Sequence, residues 1–410
     1  MRPFLIASIM LVGLVADPAP AQLALPPVGN VLRDPIGAVE KVADPVVARA
    51  QRLAAQAETL AQQRTDRLAR FVRRHSDVIE FDRSGAPARK GELLLLGGEA
   101  AMRDALRHAG FVILSQERLD SLDISVTRLG VPAGLSLAQA QALIDTVAPG
   151  AEVVADTLHF PAGNVRGKDQ TAPAQSMMRA IATRVGMIDG APANHIGGIM
   201  VRGFARGGAR AGDHGSAVAS LLAASGVRRL LAADVYGDDP AGGNALAIAR
   251  AIDWLANADA RVVTISLVGP DNPLLARAIV AGQRRGIVYV AAVGNDGPAA
   301  PPAYPASYPG VLAITAVDGR NRVLIEAGRA THLDYAAPGA DMVATNAAGR
   351  RVEVRGTSYA APLAAARAAA ALDLGGDVRR SLDAEAQDLG PRGADAHFGR
   401  GLLCASCRTR

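Results

Sequence analysis

The apolar and polar positions of this chain fall into successive blocks of different period. After Arg2, residues Phe4 to Ala16 form an uncharged apolar run followed by Ala19-Pro20-Ala21, a small-residue cleavage site, so residues 1–21 read as a signal peptide. The run is too short to span a bilayer comfortably. Within residues 22–90, a Pro-rich stretch at Leu25 to Pro35 precedes Val46 to Val72, where Leu53, Ala57, Leu60 and Leu68 recur at helical spacing. This spacing predicts an amphipathic helix after Pro45 whose apolar stripe packs on its own protein.

From 91 to 160 the period changes repeatedly. Strands are predicted at Glu92 to Leu96, Val112 to Leu114, Ile124 to Arg128 and Glu152 to Leu158. Helices are predicted at Glu99 to His108 and, capped by Ser136, at Leu137 to Thr146. The order βαββαβ predicts a small α+β ferredoxin-like domain. Residues 161–176 mix Gly, Pro, Asn and Lys without a period and read as a linker. Across 177–410, short apolar strands alternate with Ala-rich helices. The strands are Val185 to Ile188, Leu230 to Val235, Val262 to Leu267, Val288 to Val293 and Val311 to Val317. The helices include Ser216 to Ala224, Ala245 to Ala256 and Pro273 to Arg285. That alternation predicts an α/β domain, a doubly wound parallel sheet covered on both faces.

Composition narrows the class. Of 410 residues, 50% are apolar and 20% charged, as in a globular protein with a sizeable core. The net charge of +5 comes almost entirely from arginine. Arg64, Arg67, Arg70, Arg73 and Arg74 cluster before the main domain, but aromatics are 3% and no nucleic-acid motif accompanies them, so a solvated helix face is expected and no nucleic-acid partner. The two cysteines, Cys404 and Cys407, offer at most a local pair and too few ligands for a metal site.

Four segments carry candidate chemistry. Gly356-Thr357-Ser358-Tyr359-Ala360-Ala361-Pro362 opens an Ala-rich helix, so free N–H groups and the positive dipole end lie beside Ser358. Asp213-His214-Gly215-Ser216 sets a histidine at the start of a second helix, where it would serve as a base for a hydroxyl nucleophile. Asp189 ends a predicted strand at the carboxyl edge of the sheet, where it would orient that histidine; Asp213 and Asp234 compete for the role. Ala292-Val293-Gly294-Asn295 follows a buried strand, and its asparagine amide would donate to an oxyanion.

Together these segments resemble the subtilisin-like serine proteases, whose chain order is Asp, His, Ser. Further matching text includes Ala251-Ile252-Asp253-Trp254, Tyr304-Pro305-Ala306, Ala336-Ala337-Pro338-Gly339 and Gly399-Arg400-Gly401-Leu402. The resemblance implies a serine endopeptidase with Asp189, His214 and Ser358 as catalytic residues and Asn295 in the oxyanion hole. It also implies that Ser266, Leu267, Val268, Gly269, Ala292, Val293 and Gly294 hold an extended substrate peptide. The ferredoxin-like segment, 91–160, is similar to the pro-domains of this family, which implies an intramolecular inhibitor or folding chaperone cut from the protease within about Pro161 to Gln175.

Several positions depart from the family pattern. Gly190-Ala191-Pro192 follows Asp189 where Thr-Gly or Ser-Gly is usual, and Ser216 stands where Thr is common. Val268 replaces a usual Gly, which would narrow the pocket. The short interval from Asp189 to His214 leaves little room for an inserted metal loop, so neither calcium nor any other cofactor is expected. The expected partners are peptide or protein substrates, and the expected location is secreted or periplasmic, with no membrane attachment after leader removal. The rival readings are a catalytically silent relative that binds peptides or a partner protein, and an esterase using the same nucleophile.

Overall fold

The computed structural model describes residues 35–169 and 179–407; the leader expected at 1–21 lies outside them. Seven parallel strands run in the order Tyr335–Pro338, Leu312–Val317, Val288–Ala292, Val262–Ile265, Val185–Asp189, Leu230–Asp234 and Ile199–Gly203. Alternate side chains along the inner strands enter opposite cores, following the two-residue period of a strand. Val185, Met187 and Val290 pack with the helices Asp213–Ala224 and Thr357–Asp373, whereas Ile188, Val263 and Ile265 pack with Ala245–Asn257 and Pro273–Arg284. Burial on both faces is why these strands read as near-continuous apolar runs.

Two strands of this sheet were not legible in the pattern. Ile199–Gly203 is a half-exposed edge strand containing Arg202 and Gly203, and Tyr335–Pro338 is the opposite edge, which tolerates its proline. The strand expected over Val262 to Leu267 stops at Ile265. Beyond it, Leu267–Val268 leaves the sheet and pairs antiparallel with Phe160–Pro161.

N-terminal to the main sheet is an antiparallel sheet ordered Ile79–Phe81, Pro87–Leu96, Ile124–Gly130, Val112–Leu119, with Val153–Thr157 also paired to Pro87–Leu96. The run Leu93 to Leu96 is apolar throughout because both its faces are covered. Leu93 and Leu95 meet Leu106, Leu129 and Ile144 of the same unit. Leu94 and Leu96 meet Ile248, Ile252 and Leu255 on the helix Ala245–Asn257. Polar caps reinforce this docking. Asp156 accepts a hydrogen bond from Leu246 N at 2.9 Å, at the first turn of that helix. Asn272, which caps Pro273–Arg284, donates to Ala155 O and Thr157 Oγ1 at 3.0 Å each.

The stretch read as a linker is regular over much of its described part. Besides Phe160–Pro161, Asn164–Asp169 forms a strand paired with Arg351–Arg355. Main-chain pairing to an existing edge needs no side-chain period, so the sequence carried no sign of it. The N-terminal helix spans Pro35–Arg74, longer than the Val46 to Val72 expected, and its Ala57, Leu60 and Leu68 are partly buried while Leu53 is exposed. Arg64 and Arg67 are not simply solvated, since both pair with Asp296. Cys404 and Cys407 form a local disulfide. Among the described residues no helix is long and apolar enough to cross a membrane.

Candidate active site

Asp189 ends the strand Val185–Asp189, and both its carboxylate oxygens lie 2.9 Å from Nδ1 of His214, the second residue of Asp213–Ala224. The same carboxylate accepts the Gly190 N–H at 2.7 Å and is almost completely buried. Gly215 permits this approach, because a Cβ there would collide with Gly190 O. His214 Nε2 lies 3.0 Å from Ser358 Oγ on the helix Thr357–Asp373. With Nδ1–H donated to the carboxylate, Nε2 faces the hydroxyl with its lone pair, the arrangement that removes a proton from an attacking serine.

The competing aspartates are occupied elsewhere. Asp234 sits beside Asp189 in the sheet register but accepts the backbone N–H groups of Arg210, Tyr236 and Gly237 at 2.8, 2.9 and 3.0 Å. Asp213 accepts Ala347 N at 3.0 Å. Both therefore organise loops.

Residues of this chain itself occupy the cleft. The carbonyl oxygen of Ala162 accepts hydrogen bonds from Ser358 N at 2.9 Å and from Asn295 Nδ2. Its N–H donates to Ser266 O at 3.0 Å, and Phe160 and Pro161 pair with Val268 and Leu267. Gly163 lies directly against Ser358, leaving no room for a Cβ between it and Oγ. A peptide bond, Ala162–Gly163, is thus held as an extended substrate with its oxygen between two donors. Asn295 is oriented by Thr357 N, which donates to its Oδ1 at 3.0 Å, while Thr357 Oγ1 accepts Gly294 N at 3.1 Å. Gly356 adopts φ 142°, and a Cβ there would approach Asn295 Nδ2 to 2.6 Å.

The seven expected substrate-holding residues divide. Ser266, Leu267 and Val268 contact the docked segment through their backbone, and Gly269 is where a Cβ would strike the ring of His159. Ser266 Oγ also donates to Ser358 O at 2.9 Å. Val268 flanks Gly294, with its methyls 3.5 Å from where a Gly294 Cβ would lie. Ala292 and Val293 instead bury their side chains in the two cores.

Sequence reasoning missed Thr357, His159 and Tyr236. The Tyr236 hydroxyl donates to His159 O at 3.2 Å. Burial holds the His159 imidazole well below its ordinary value, at about 4, and the same cause pushes the Asp156 carboxyl up to about 6. Burial and the nearby Asp189 carboxylate raise the hydroxyl of Tyr359, whose ring packs 5.3 Å from His214.

A family model described as the subtilase family matches residues 205–401. Subtilisin BL of Lederbergia lenta is 31% identical over 213 residues, covering 48% of this chain and 77% of that protein. The chain belongs to the subtilase family. Another subtilase relative, the minor extracellular protease Epr of Bacillus subtilis (strain 168), is 30% identical over 172 residues, or 40% of this chain and 27% of that protein. The chain spans between about a quarter and three fifths of the length of several such relatives. The crystal structure of fervidolysin from Fervidobacterium pennivorans, a keratinolytic enzyme related to subtilisin, superposes with a TM-score of 0.64 at 17% identity, covering 80% of this chain and 63% of that one, a likeness of fold.

The hydrogen bonding separates Asp189 from Asp234 in a testable way. Asp234→Asn should cost about 1–3 kcal/mol of stability, because a backbone N–H bonded to this carboxylate loses its charged acceptor, yet keep the downfield proton resonance of His214 Nδ1–H. Asp189→Asn should abolish that resonance. Its loss in the Asp234 variant would reverse the assignment.

Proposed function

We propose that this subtilase is a secreted serine endopeptidase that first cuts its own Ala162–Gly163 bond. The observation that carries the reading is the Ala162 carbonyl, gripped by the Ser358 N–H and Asn295 amide beside a serine already hydrogen-bonded to His214. Ser358 Oγ attacks the carbonyl carbon while His214 Nε2 takes its proton. Asp189 holds the imidazolium in place, and the two donors stabilise the oxyanion. The proton then passes from Nε2 to the leaving nitrogen of Gly163, and water releases the acyl group from Ser358. The Asp-His-Ser order and the sheet-edge site are the family's own. Secretion is supported by residues 1–21 and by the extracellular relative Epr.

The occupied cleft also supports an inhibitory role for the N-terminal sheet. After scission, its terminal residues Phe160 to Ala162 would stay paired along Ser266 to Val268, blocking other peptides until the piece leaves. Ala162 before the cut bond, together with Val268 narrowing the wall beside Gly294, favours substrates with a small residue at that position.

Asn295→Ala should lower turnover of a peptide amide about 10² to 10³-fold, the usual cost of one lost oxyanion donor. A fluorophosphonate should label the processed wild type but not Ser358→Ala. An unlabelled wild type with no amide turnover would favour the silent peptide-binding alternative.

Docking of the N-terminal piece carries two opposed proton linkages. His159 is depressed to about 4 when docked, so its contribution is full above about 6.5 and declines as pH falls from there toward 4. Asp156 is raised to about 6, so its contribution instead grows as pH falls from 6 toward about 3.9. The two linkages oppose each other, so wild-type affinity should change less between pH 6.5 and 4 than that of a variant lacking His159. His159→Phe should tighten on acidification by tens to about a hundredfold, as titrations of residual activity would reveal; a flat profile in that variant rejects the Asp156 linkage.

A further inference from the structure

The helix Pro35–Arg74 reaches the cleft by a route separate from the small sheet. Ala57, Leu60, Arg64, Leu68 and Phe71 recur at three- and four-residue steps and form its partly buried stripe. At one end of that stripe, Phe71 packs edge-on against Phe160 of the docked segment at 5.3 Å, and Val72 joins Ile79, Leu158 and Ala241 in a small apolar cluster. Two to three turns earlier the helix meets the loop that carries the oxyanion donor. Arg64 Nε lies 3.0 Å from one carboxylate oxygen of Asp296, and Arg67 pairs with the other. Leu60 sits over Gly297, so closely that a Cβ there would fall 2.9 Å from it. Asp296 and Gly297 directly follow Asn295, so the helix is seated on the rim of the site itself.

We propose that Asp296 and Gly297 form a docking surface for a basic amphipathic helix, and that residues 60–71 occupy it as a strap holding the N-terminal piece on the protease after the Ala162–Gly163 cut. This rests on the peptidase reading above. The charge match is local: two arginines three residues apart share one carboxylate, and the leucine one turn before them fills the space left by a glycine. With the strap in place the cut piece is held at separated points: Asp296–Gly297, the backbone of Ser266 to Val268, and the small sheet's face on Ala245–Asn257. Rebinding at any one of them is then intramolecular while another remains closed, which lengthens its residence.

The test uses the full chain carrying Arg64→Glu with Arg67→Glu, both on the partly exposed side of the interface. Intact mass follows the cut, and hydrolysis of a peptide amide follows release. The cut should proceed as in the wild type, while the lag from cut to full activity should shorten about three- to tenfold, the range expected from two partly exposed ion pairs. Adding Asp296→Arg should restore the lag to within about twofold by reversing the charge match. Leu60→Asp, which acts through the apolar contact, should shorten the lag independently. A normal cut with an unchanged lag in both the arginine and the leucine variants overturns the strap alone. Absence of any cut in the wild type overturns the peptidase reading, and the strap with it.

Discussion

Everything distinctive in this structure converges on one carbonyl oxygen, that of Ala162, held between the Ser358 N–H and the Asn295 amide. Two donors aimed at a single oxygen need backbone fixed on three sides. The helix start at Thr357 leaves its first N–H groups free of intrahelical partners. Gly356, at φ 142°, turns the chain into that helix without a side chain in the way. Thr357 then ties both Gly294 and Asn295 to the same point, which fixes the Asn295 amide relative to Ser358.

The small sheet is the counterpart of that arrangement. Its strand Val153–Thr157 leads directly into His159 to Gly163, so docking of the sheet sets where the peptide enters the cleft. The docking combines the apolar face of Leu94 and Leu96 with two helix starts whose orphan donors or capping side chains meet Asp156, Ala155 and Thr157. Buried Asp156 and His159 make that interface costly to ionise, in opposite directions.

What the sequence made legible was local. Asp189, His214 and Ser358 each lie at a strand end or a helix start, and those signals are written in a few adjacent residues. The choice of Asp189 over Asp234 depended on family order, because both end apolar strands side by side; only the partners of each carboxylate separate them. Three features were hidden for one reason, that they depend on main-chain or long-range pairing. Asn164–Asp169 pairs with Arg351–Arg355 through its backbone, Ala162 enters the site through its carbonyl and N–H, and Arg64 meets Asp296 across a wide gap in sequence. A proline-, glycine- and asparagine-bearing stretch can read as a linker and still lie in a cleft as a strand.

The most direct measurement is the N-terminal residue of the purified wild-type protein and of Ser358→Ala, read by intact-mass and terminal-peptide spectrometry. Scission by Ser358 predicts a wild-type protease beginning at Gly163 and a Ser358→Ala chain still joined through Ala162–Gly163. A Ser358→Ala chain cut at that same bond, or a wild type left uncut there, would contradict it.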